Sequence, residues 1–157
     1  MRIGLISDTH GLLRPEAAAA LANVDHIVHA GDIGNPRVLE QLEEIAAVTA
    51  VRGNNDTGEW ARRLRDSEVL DVHSTRFFVI HDLNDLVPHR PPAGVRVVVS
   101  GHSHRAVVTE NEGVLYVNPG SAGPRRFRLP VTVALLTIEG ADVSVRLIDV
   151  LAPPFPS

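Results

Sequence analysis

The stretch RIGLISDTHGLLRPEAAAALANVDHIVHAGD, residues 2–32, decides the fold class. Residues 2–7 form an apolar run typical of a buried strand, residues 15–22 predict a helix with proline in its first turn, and residues 26–30 form a second apolar run. Strand, helix and strand in this order indicate a βαβ unit. Such units build parallel sheets, whose functional groups gather at the carboxyl ends of the strands.

The pattern changes from alternating helices and strands to strands alone near residue 68. Before it, residues 36–46 predict a second helix, with Val38, Leu39, Leu42 and Ile45 at helical spacing, and residues 48–52 predict a third strand. After it, short β-type runs occupy residues 68–72, 76–80, 95–100, 106–110, 114–117, 131–138 and 143–150. We therefore expect an α/β fold, and two packed sheets with helices outside fit this order better than the alternative of a single doubly wound sheet. The proline-rich segment 82–94 leaves room for a short helix at most.

Length and composition narrow the classes of protein. The 157 residues suffice for a single domain, which we place at residues 1–151, and residues 152–157, three of them proline, predict a flexible tail. Cysteine is absent and all 15 basic residues are arginine, which excludes thiolate nucleophiles, sulfur-ligated metals and catalytic lysines. A net charge of −4 argues against stable binding to nucleic acid or anionic membrane. We expect a cytoplasmic protein without a membrane span.

Residues able to bind metal follow the predicted strands one after another. The seven candidates are Asp8, His10, Asp32, Asn54, His81, His102 and His104. A single Asp-x-His or His-x-His pair is more often a surface or core feature than a metal site, but their joint position at strand ends favours metal binding. With one bridging carboxylate, seven side chains supply about eight coordination bonds, which suits two metal ions with open positions for substrate.

The motifs Asp8-Thr9-His10, Gly31-Asp32, Gly53-Asn54-Asn55-Asp56, His81 and Gly101-His102-Ser103-His104, in this order, resemble those of the calcineurin-like metallophosphoesterases. The compact length and the later Asn118-Pro119-Gly120-Ser121 make the chain similar to the small bacterial YfcE-type phosphodiesterases. The resemblance implies a four-layer αββα sandwich. It also implies one metal held by Asp8, His10 and His104, another held by Asn54, His81 and His102, and Asp32 as the bridge.

The activity implied by the resemblance is hydrolysis of a small phosphodiester by a hydroxide held between two divalent metal ions. Asp32, Asn54 and His102 would act at the catalytic centre. Manganese is the expected metal, with zinc, iron, nickel and cobalt as alternatives. Two other functions stay open: a non-catalytic scaffold similar to the retromer subunit of this fold, and a nuclease. The family also suggests a homo-oligomer.

Some residues near the motifs differ from the family pattern, and others are compatible with two different roles. Asn55 stands where many relatives have histidine or cysteine, so it cannot donate a proton by titration, and we predict a contact with substrate instead. Arg125 could bind a substrate phosphate or be solvated. Asp82 follows His81 where glycine is usual, which bears on the rim of the pocket. His29 is predicted to be a buried histidine bonded to backbone, not a ligand.

Overall fold

Two five-stranded sheets organise the protein in the computed structural model, which describes residues 1–86, 91–126 and 128–152. The first half contains β1 (Arg2–Ile6), α1 (Pro15–Ala20), β2 (His26–His29), α2 (Pro36–Glu43), β3 (Ala47–Ala50) and α3 (Glu59–Arg62). The second half contains β4 (Ser67–Val72), β5 (Thr75–Ile80), a 3₁₀ helix (Leu83–Leu86), β6 (Val95–Val99), β7 (Val107–Asn111), β8 (Val114–Asn118), β9 (Thr132–Glu139) and β10 (Asp142–Asp149).

Each sheet contains three adjacent parallel strands. The first sheet has the order β10-β9-β1-β2-β3, in which β1, β2 and β3 are parallel to one another and β9 is antiparallel to β1. The second has the order β4-β5-β6-β8-β7, with β5, β6 and β8 parallel. The predicted α/β fold with two packed sheets is confirmed. In both sheets the carboxyl ends of the parallel strands share one edge, where the candidate ligands follow them.

The core lies between the two sheets. Ile3, Leu5 and Val28 of the first sheet pack in one cluster with Phe77 and Val97 of the second, and all five are fully buried. A second cluster joins the opposite face of the first sheet to the helices. The strands β1 and β2 are thus apolar on both faces, which explains why their sequences read as continuous apolar runs.

The helices differ most from the sequence expectation. The helix α2 ends at Glu43, three residues before the predicted end, and its first turn is capped by the Asn35 side chain, which accepts a hydrogen bond from the Val38 N–H at 3.3 Å. The four-residue helix α3 was not predicted, because one turn is too short to show a helical period.

The segment 82–94 contains the 3₁₀ helix Leu83–Leu86, and its residues 87–90 lie outside the described residues. The predicted flexible tail falls mostly on residues 153–157, also outside the described residues. None of the helices in the described ranges is long and apolar enough to span a lipid bilayer.

The packing between the sheets predicts a large cost for truncating Phe77. Its side chain is fully buried in the core between the sheets, so Phe77→Ala should lower the free energy of unfolding by about 3–5 kcal/mol. Val69, which is 47% exposed, provides the control, and Val69→Ala should cost less than about 1 kcal/mol. Urea denaturation measures both values. A cost below about 1 kcal/mol for Phe77→Ala would contradict this packing.

Candidate metal centre

Backbone hydrogen bonds hold the loops after the strands against one another. The N–H of Asp8 donates to the carbonyl of Gly31 at 3.0 Å, and the N–H of His10 donates to the carbonyl of Asp32 at 3.0 Å. These bonds join the loop after β1 to the loop after β2. In the second sheet, the Gly101 N–H donates to the His81 carbonyl at 2.9 Å and joins the loops after β5 and β6.

Asp8, His10 and His104 form one half of the candidate centre. Their ligand atoms all lie within 4.8 Å of one another. Asp8 Oδ1 is 3.3 Å from His104 Nε2 and 3.8 Å from His10 Nε2, and the two Nε2 atoms are 3.4 Å apart. Two imidazoles and a carboxylate therefore face a common point.

Asp32, Asn54, His81 and His102 form the other half. Asp32 Oδ2 is 3.3 Å from His81 Nε2, and Asn54 Oδ1 is 3.2 Å from His102 Nδ1. The rings of His81 and His102 meet edge to face, with centroids 5.3 Å apart. The structure thus brings five of the predicted ligands within ligand distance of one another in two overlapping groups, and it places Asn54 and His102 beside them.

Both carboxylates lie between the two halves. Asp32 Oδ2 is also 3.8 Å from His10 Nε2, and Asp8 Oδ1 is 3.9 Å from His81 Nε2. Asp8 therefore belongs to both clusters of ligand atoms. The assignment of Asp32 as the bridging ligand stays a prediction.

Two buried polar atoms at this point show that the site suits a cation. Asp8 Oδ1 and His81 Nε2 are buried and, among the described residues, have no hydrogen-bond partner. A buried polar group without a partner costs about 1–3 kcal/mol, so the pair calls for an atom that both could bind. A divalent cation fits this need, and the nitrogen and oxygen donors suit manganese, iron or zinc.

The backbone at the site is held in a conformation that most residues avoid. Five of the seven candidate ligands have φ in the left-handed region: Asp8 (53°), His10 (48°), Asp32 (55°), His102 (72°) and His104 (63°). Each such residue costs on the order of 1–3 kcal/mol, and such strain concentrates at functional sites. The surrounding loops therefore hold these side chains in place at the expense of local stability.

Two glycines make the close approach of these loops possible. A Cβ atom at Gly53 would meet the backbone and carboxylate of Asp32, and one at Gly101 would meet the Ser7 hydroxyl and lie 2.6 Å from Asp8 Oδ2. Only glycine fits at either position without moving a candidate ligand.

Burial and neighbouring groups shift the pKa values of several buried side chains at the site. Burial raises the pKa of Asp8, although the Ser7 hydrogen bond and the nearby His81 and His104 act against it. Burial would also raise the pKa of Asp32, but the nearby His81 imidazole and the hydrogen bond from the Asn55 N–H outweigh it and lower that pKa to about 2. Burial, together with the positive charge of Arg126, lowers the pKa of His104. Neutral imidazoles and ionised carboxylates are the forms that bind metal.

A histidine outside the ligand set supports the loop between Asp8 and His10. His29 is fully buried, its Nδ1 accepts a hydrogen bond from the Gly31 N–H at 3.1 Å, and its Nε2 lies 3.0 Å from Thr9 Oγ1. The Thr9 hydroxyl in turn donates to the Ile33 carbonyl at 2.8 Å. This network requires the proton on Nε2, because Nδ1 is already an acceptor. The prediction of a buried histidine bonded to backbone is confirmed.

Three further residues support the candidate ligands through hydrogen bonds that the sequence analysis does not predict. Ser7 Oγ donates to Asp8 Oδ2 at 2.7 Å, and Ser121 Oγ donates to the Asp8 carbonyl at 3.0 Å. The Asn118 amide donates to the Gly101 carbonyl at 3.0 Å and so steadies the loop that carries His102. Asn118 and Ser121 belong to the Asn118-Pro119-Gly120-Ser121 motif, which was the only signal for them.

The carboxylate of Asp56 links two of the loops that form the site. Its carboxylate accepts hydrogen bonds from the Gly34 N–H at 3.0 Å and from the Gly53 N–H at 2.8 Å. It therefore links the loop after β2 to the loop that carries Asn54.

The two residues predicted to contact substrate differ in their placement. Asn55 bonds to Asp32: its backbone N–H donates to Oδ1 at 2.9 Å and its side-chain amide donates to Oδ2 at 3.1 Å. Arg125 is exposed, and its Nε donates to the Leu129 carbonyl at 3.2 Å. Of these two neighbouring arginines it is Arg126 whose positive charge helps to lower the pKa of His104. Substrate contacts of Asn55 and Arg125 stay predictions.

Comparison with known proteins gives matches along most of the chain. The chain is 35% identical to a probable metallophosphoesterase of Methanothermobacter thermautotrophicus, over 98% of this chain and 95% of that protein. A structurally characterised archaeal phosphodiesterase is 27% identical, with a TM-score of 0.76 over 94% of this chain and 100% of that one. Vps29 of Chaetomium thermophilum has the same fold, with a TM-score of 0.76 at 18% identity over 94% and 97% of the two chains.

The two-sheet fold, the cluster of carboxylates and imidazoles, and these relatives define the class as metal-dependent phosphoesterases. The family model described as the calcineurin-like phosphoesterase superfamily domain matches residues 1–141, and the chain belongs to this superfamily.

The buried His29 predicts a loss of stability in acid. Burial lowers the pKa of its imidazole to about 3, whereas the unfolded chain binds this proton near pH 6.5. Below pH 6.5 the imidazole of His29 binds a proton in the unfolded state but not in the folded state. The free energy of unfolding therefore falls as the pH falls. Between pH 7 and pH 5 this residue alone should remove about 2 kcal/mol.

Urea denaturation of the metal-free protein at both pH values, with wild type and His29→Gln compared, measures this loss. Glutamine cannot titrate, so the decrease between pH 7 and pH 5 should be smaller in the variant by about 2 kcal/mol. An equal decrease in the two proteins would show that His29 takes up its proton in the folded state.

Proposed function

We propose that the protein is a phosphodiesterase that uses two divalent metal ions to hydrolyse a small phosphodiester. The observation that carries the proposal is the convergence of Asp8, His10, Asp32, His81 and His104 in two overlapping groups of metal-binding atoms, with Asp8 Oδ1 and His81 Nε2 buried and unpartnered among the described residues. The phosphodiesterase among the structural relatives supports the same substrate class.

Two divalent cations would supply charge to stabilise the phosphoryl oxygens and an activated water as nucleophile. The chain supplies the geometry. Asp8 and Asp32 are the two carboxylates of the ligand set, so a loaded centre keeps a formal charge of about +2, which attracts a phosphate anion. Asp32 lies between the two halves, and Asn54 and His102 lie on the more exposed side, where a substrate can approach.

A cleft beside the candidate metal centre has a size that suits a small substrate. Its volume is about 680 Å³, and its lining includes Asn54, His81, Asp82 and Asp85. This volume suits a small organic ester. The cleft also contains Arg52, whose guanidinium is paired with Asp66 at 2.7 Å.

The alternatives are less well supported. A non-catalytic scaffold of this fold need not retain a metal site, whereas this chain has all seven candidate ligands in place. A nuclease needs basic residues along its groove, whereas Asp66, Asp82 and Asp85 line the cleft and the net charge of the chain is −4. We propose manganese as the metal; a cytoplasmic location and homo-oligomeric assembly stay predictions from the sequence.

Removing the metal should abolish hydrolysis. Protein stripped with a chelator should hydrolyse bis(p-nitrophenyl) phosphate at least roughly 10²-fold more slowly, and Mn²⁺ should restore the rate, because the cations stabilise the developing charge. His102→Ala should stay inactive after Mn²⁺ is added while its circular dichroism spectrum matches wild type. His73→Ala, at an exposed histidine on the turn between β4 and β5, is the control and should keep full activity. Full activity of His102→Ala would contradict the proposed site.

The identity of residue 55 should set which leaving groups are tolerated. Asn55 has no proton to release at neutral pH, so alkyl esters, which need protonation of the leaving oxygen, should react far more slowly than aryl esters. We expect Asn55→His to raise the ratio of alkyl to aryl turnover at least roughly 10-fold. Asn55→Ala controls for the lost hydrogen bond to Asp32 and should lower both rates together. An unchanged ratio in Asn55→His would show that this position does not serve the leaving group.

A further inference from the structure

Asp82 begins the 3₁₀ helix that follows β5, and this turn fixes its carboxylate. Its carbonyl accepts a hydrogen bond from the Asp85 N–H at 3.0 Å, and its Oδ1 accepts one from the Asn84 N–H at 3.0 Å. A side-chain oxygen bonded two residues ahead is the usual Asx-turn arrangement. With Oδ1 held in this way, the direction of Oδ2 is set by the backbone.

The second oxygen faces His102. Asp82 Oδ2 lies 3.6 Å from His102 Nε2, while Nδ1 of the same ring lies 3.2 Å from Asn54 Oδ1. The two ring nitrogens thus face different partners. A nitrogen that binds a cation carries no proton, so the proton of a neutral ring lies on the other nitrogen. If Nδ1 is the ligand atom, Nε2 carries the proton and the Nε2–H group faces the Asp82 carboxylate at 3.6 Å, beyond direct hydrogen-bond length.

His102 needs such a partner more than the other candidate histidines do. Its side chain is 44% exposed, compared with 9% for His104 and 5% for His81. The buried rings are held by their surroundings, and His81 Nδ1 also bonds to the Ala30 carbonyl at 2.7 Å. The exposed ring of His102 lies at the edge of the centre, where little packing restricts its rotation.

We propose that Asp82 is a positioning residue that orients His102 and fixes its proton on Nε2, so that Nδ1 is presented to a cation together with Asn54. This inference rests on the proposed function, because it assumes that His102 is a metal ligand. Carboxylates paired with metal-binding histidines orient the ring and raise its basicity, and their loss costs about 10–100-fold in metal affinity.

The variant Asp82→Asn separates this role from the capping of the turn. Asparagine keeps an oxygen for the Asn84 N–H, but it turns an amide donor toward the Nε2–H donor of His102. Asp82→Gly removes both contacts. Asp85→Asn is the matched control, because it removes the same charge from the same cleft three residues further along.

Calorimetric titration of the metal-free proteins with Mn²⁺ tests the proposal. Asp85→Asn should bind two ions with the same two affinities as wild type. Asp82→Asn should bind one of its two ions about 10–100-fold more weakly than wild type does. The unfolding temperature of metal-free Asp82→Asn should match wild type, and its kcat should recover at saturating Mn²⁺ with an unchanged KM. Wild-type affinity for both ions in Asp82→Asn, or an equal loss at both sites with a lower unfolding temperature, would overturn the proposal.

Nuclear magnetic resonance distinguishes failure of this inference from failure of the proposed function. In the wild-type protein loaded with diamagnetic Zn²⁺, the ring of His102 should carry its proton on Nε2. A proton on Nδ1 of His102 in a protein that binds two ions would overturn the role of Asp82 and leave the phosphodiesterase proposal intact. A wild type that binds no ion would overturn both.

Discussion

The buried carboxylate of Asp8 is the constraint on which the rest of the site depends. Its Oδ2 accepts hydrogen bonds from the Ser7 hydroxyl at 2.7 Å and the His102 N–H at 3.1 Å, while its Oδ1 faces three imidazoles with no hydrogen-bond partner among the described residues. An ionised carboxylate in this position is costly without a cation, and burial accordingly raises its pKa. A bound cation would reverse this balance, and metal binding at this site would then stabilise the folded state.

Backbone geometry and core packing hold the loops around Asp8 in place despite this cost. The parallel strands of both sheets end at one edge, and the loops that leave them turn sharply through left-handed residues and past Gly53 and Gly101. The core between the sheets, with Phe77 at its centre, holds the strands that anchor these loops. The strained residues of the site lie at the ends of strands whose own positions are fixed by packing, so the candidate ligands are held rigidly.

Periodicity predicted the strands well, because buried strands have apolar runs. The candidate ligands follow these strands directly, and their role in metal binding stays a prediction. The helix α3 and the end of α2 were missed, since short helices depend on tertiary contacts more than on local pattern. The contacts of Asn55 with Asp32 and of Asp82 with His102 could not be predicted either. They depend on side-chain orientations between distant loops, which a single sequence does not specify.

The most direct test of the account is a crystal structure of the Mn²⁺-loaded protein with anomalous diffraction measured at the manganese edge. The account predicts two peaks about 4 Å apart, one near Asp8, His10 and His104 and the other near Asn54, His81 and His102, with Asp32 between them. A single peak, no peak, or peaks away from these residues would contradict it.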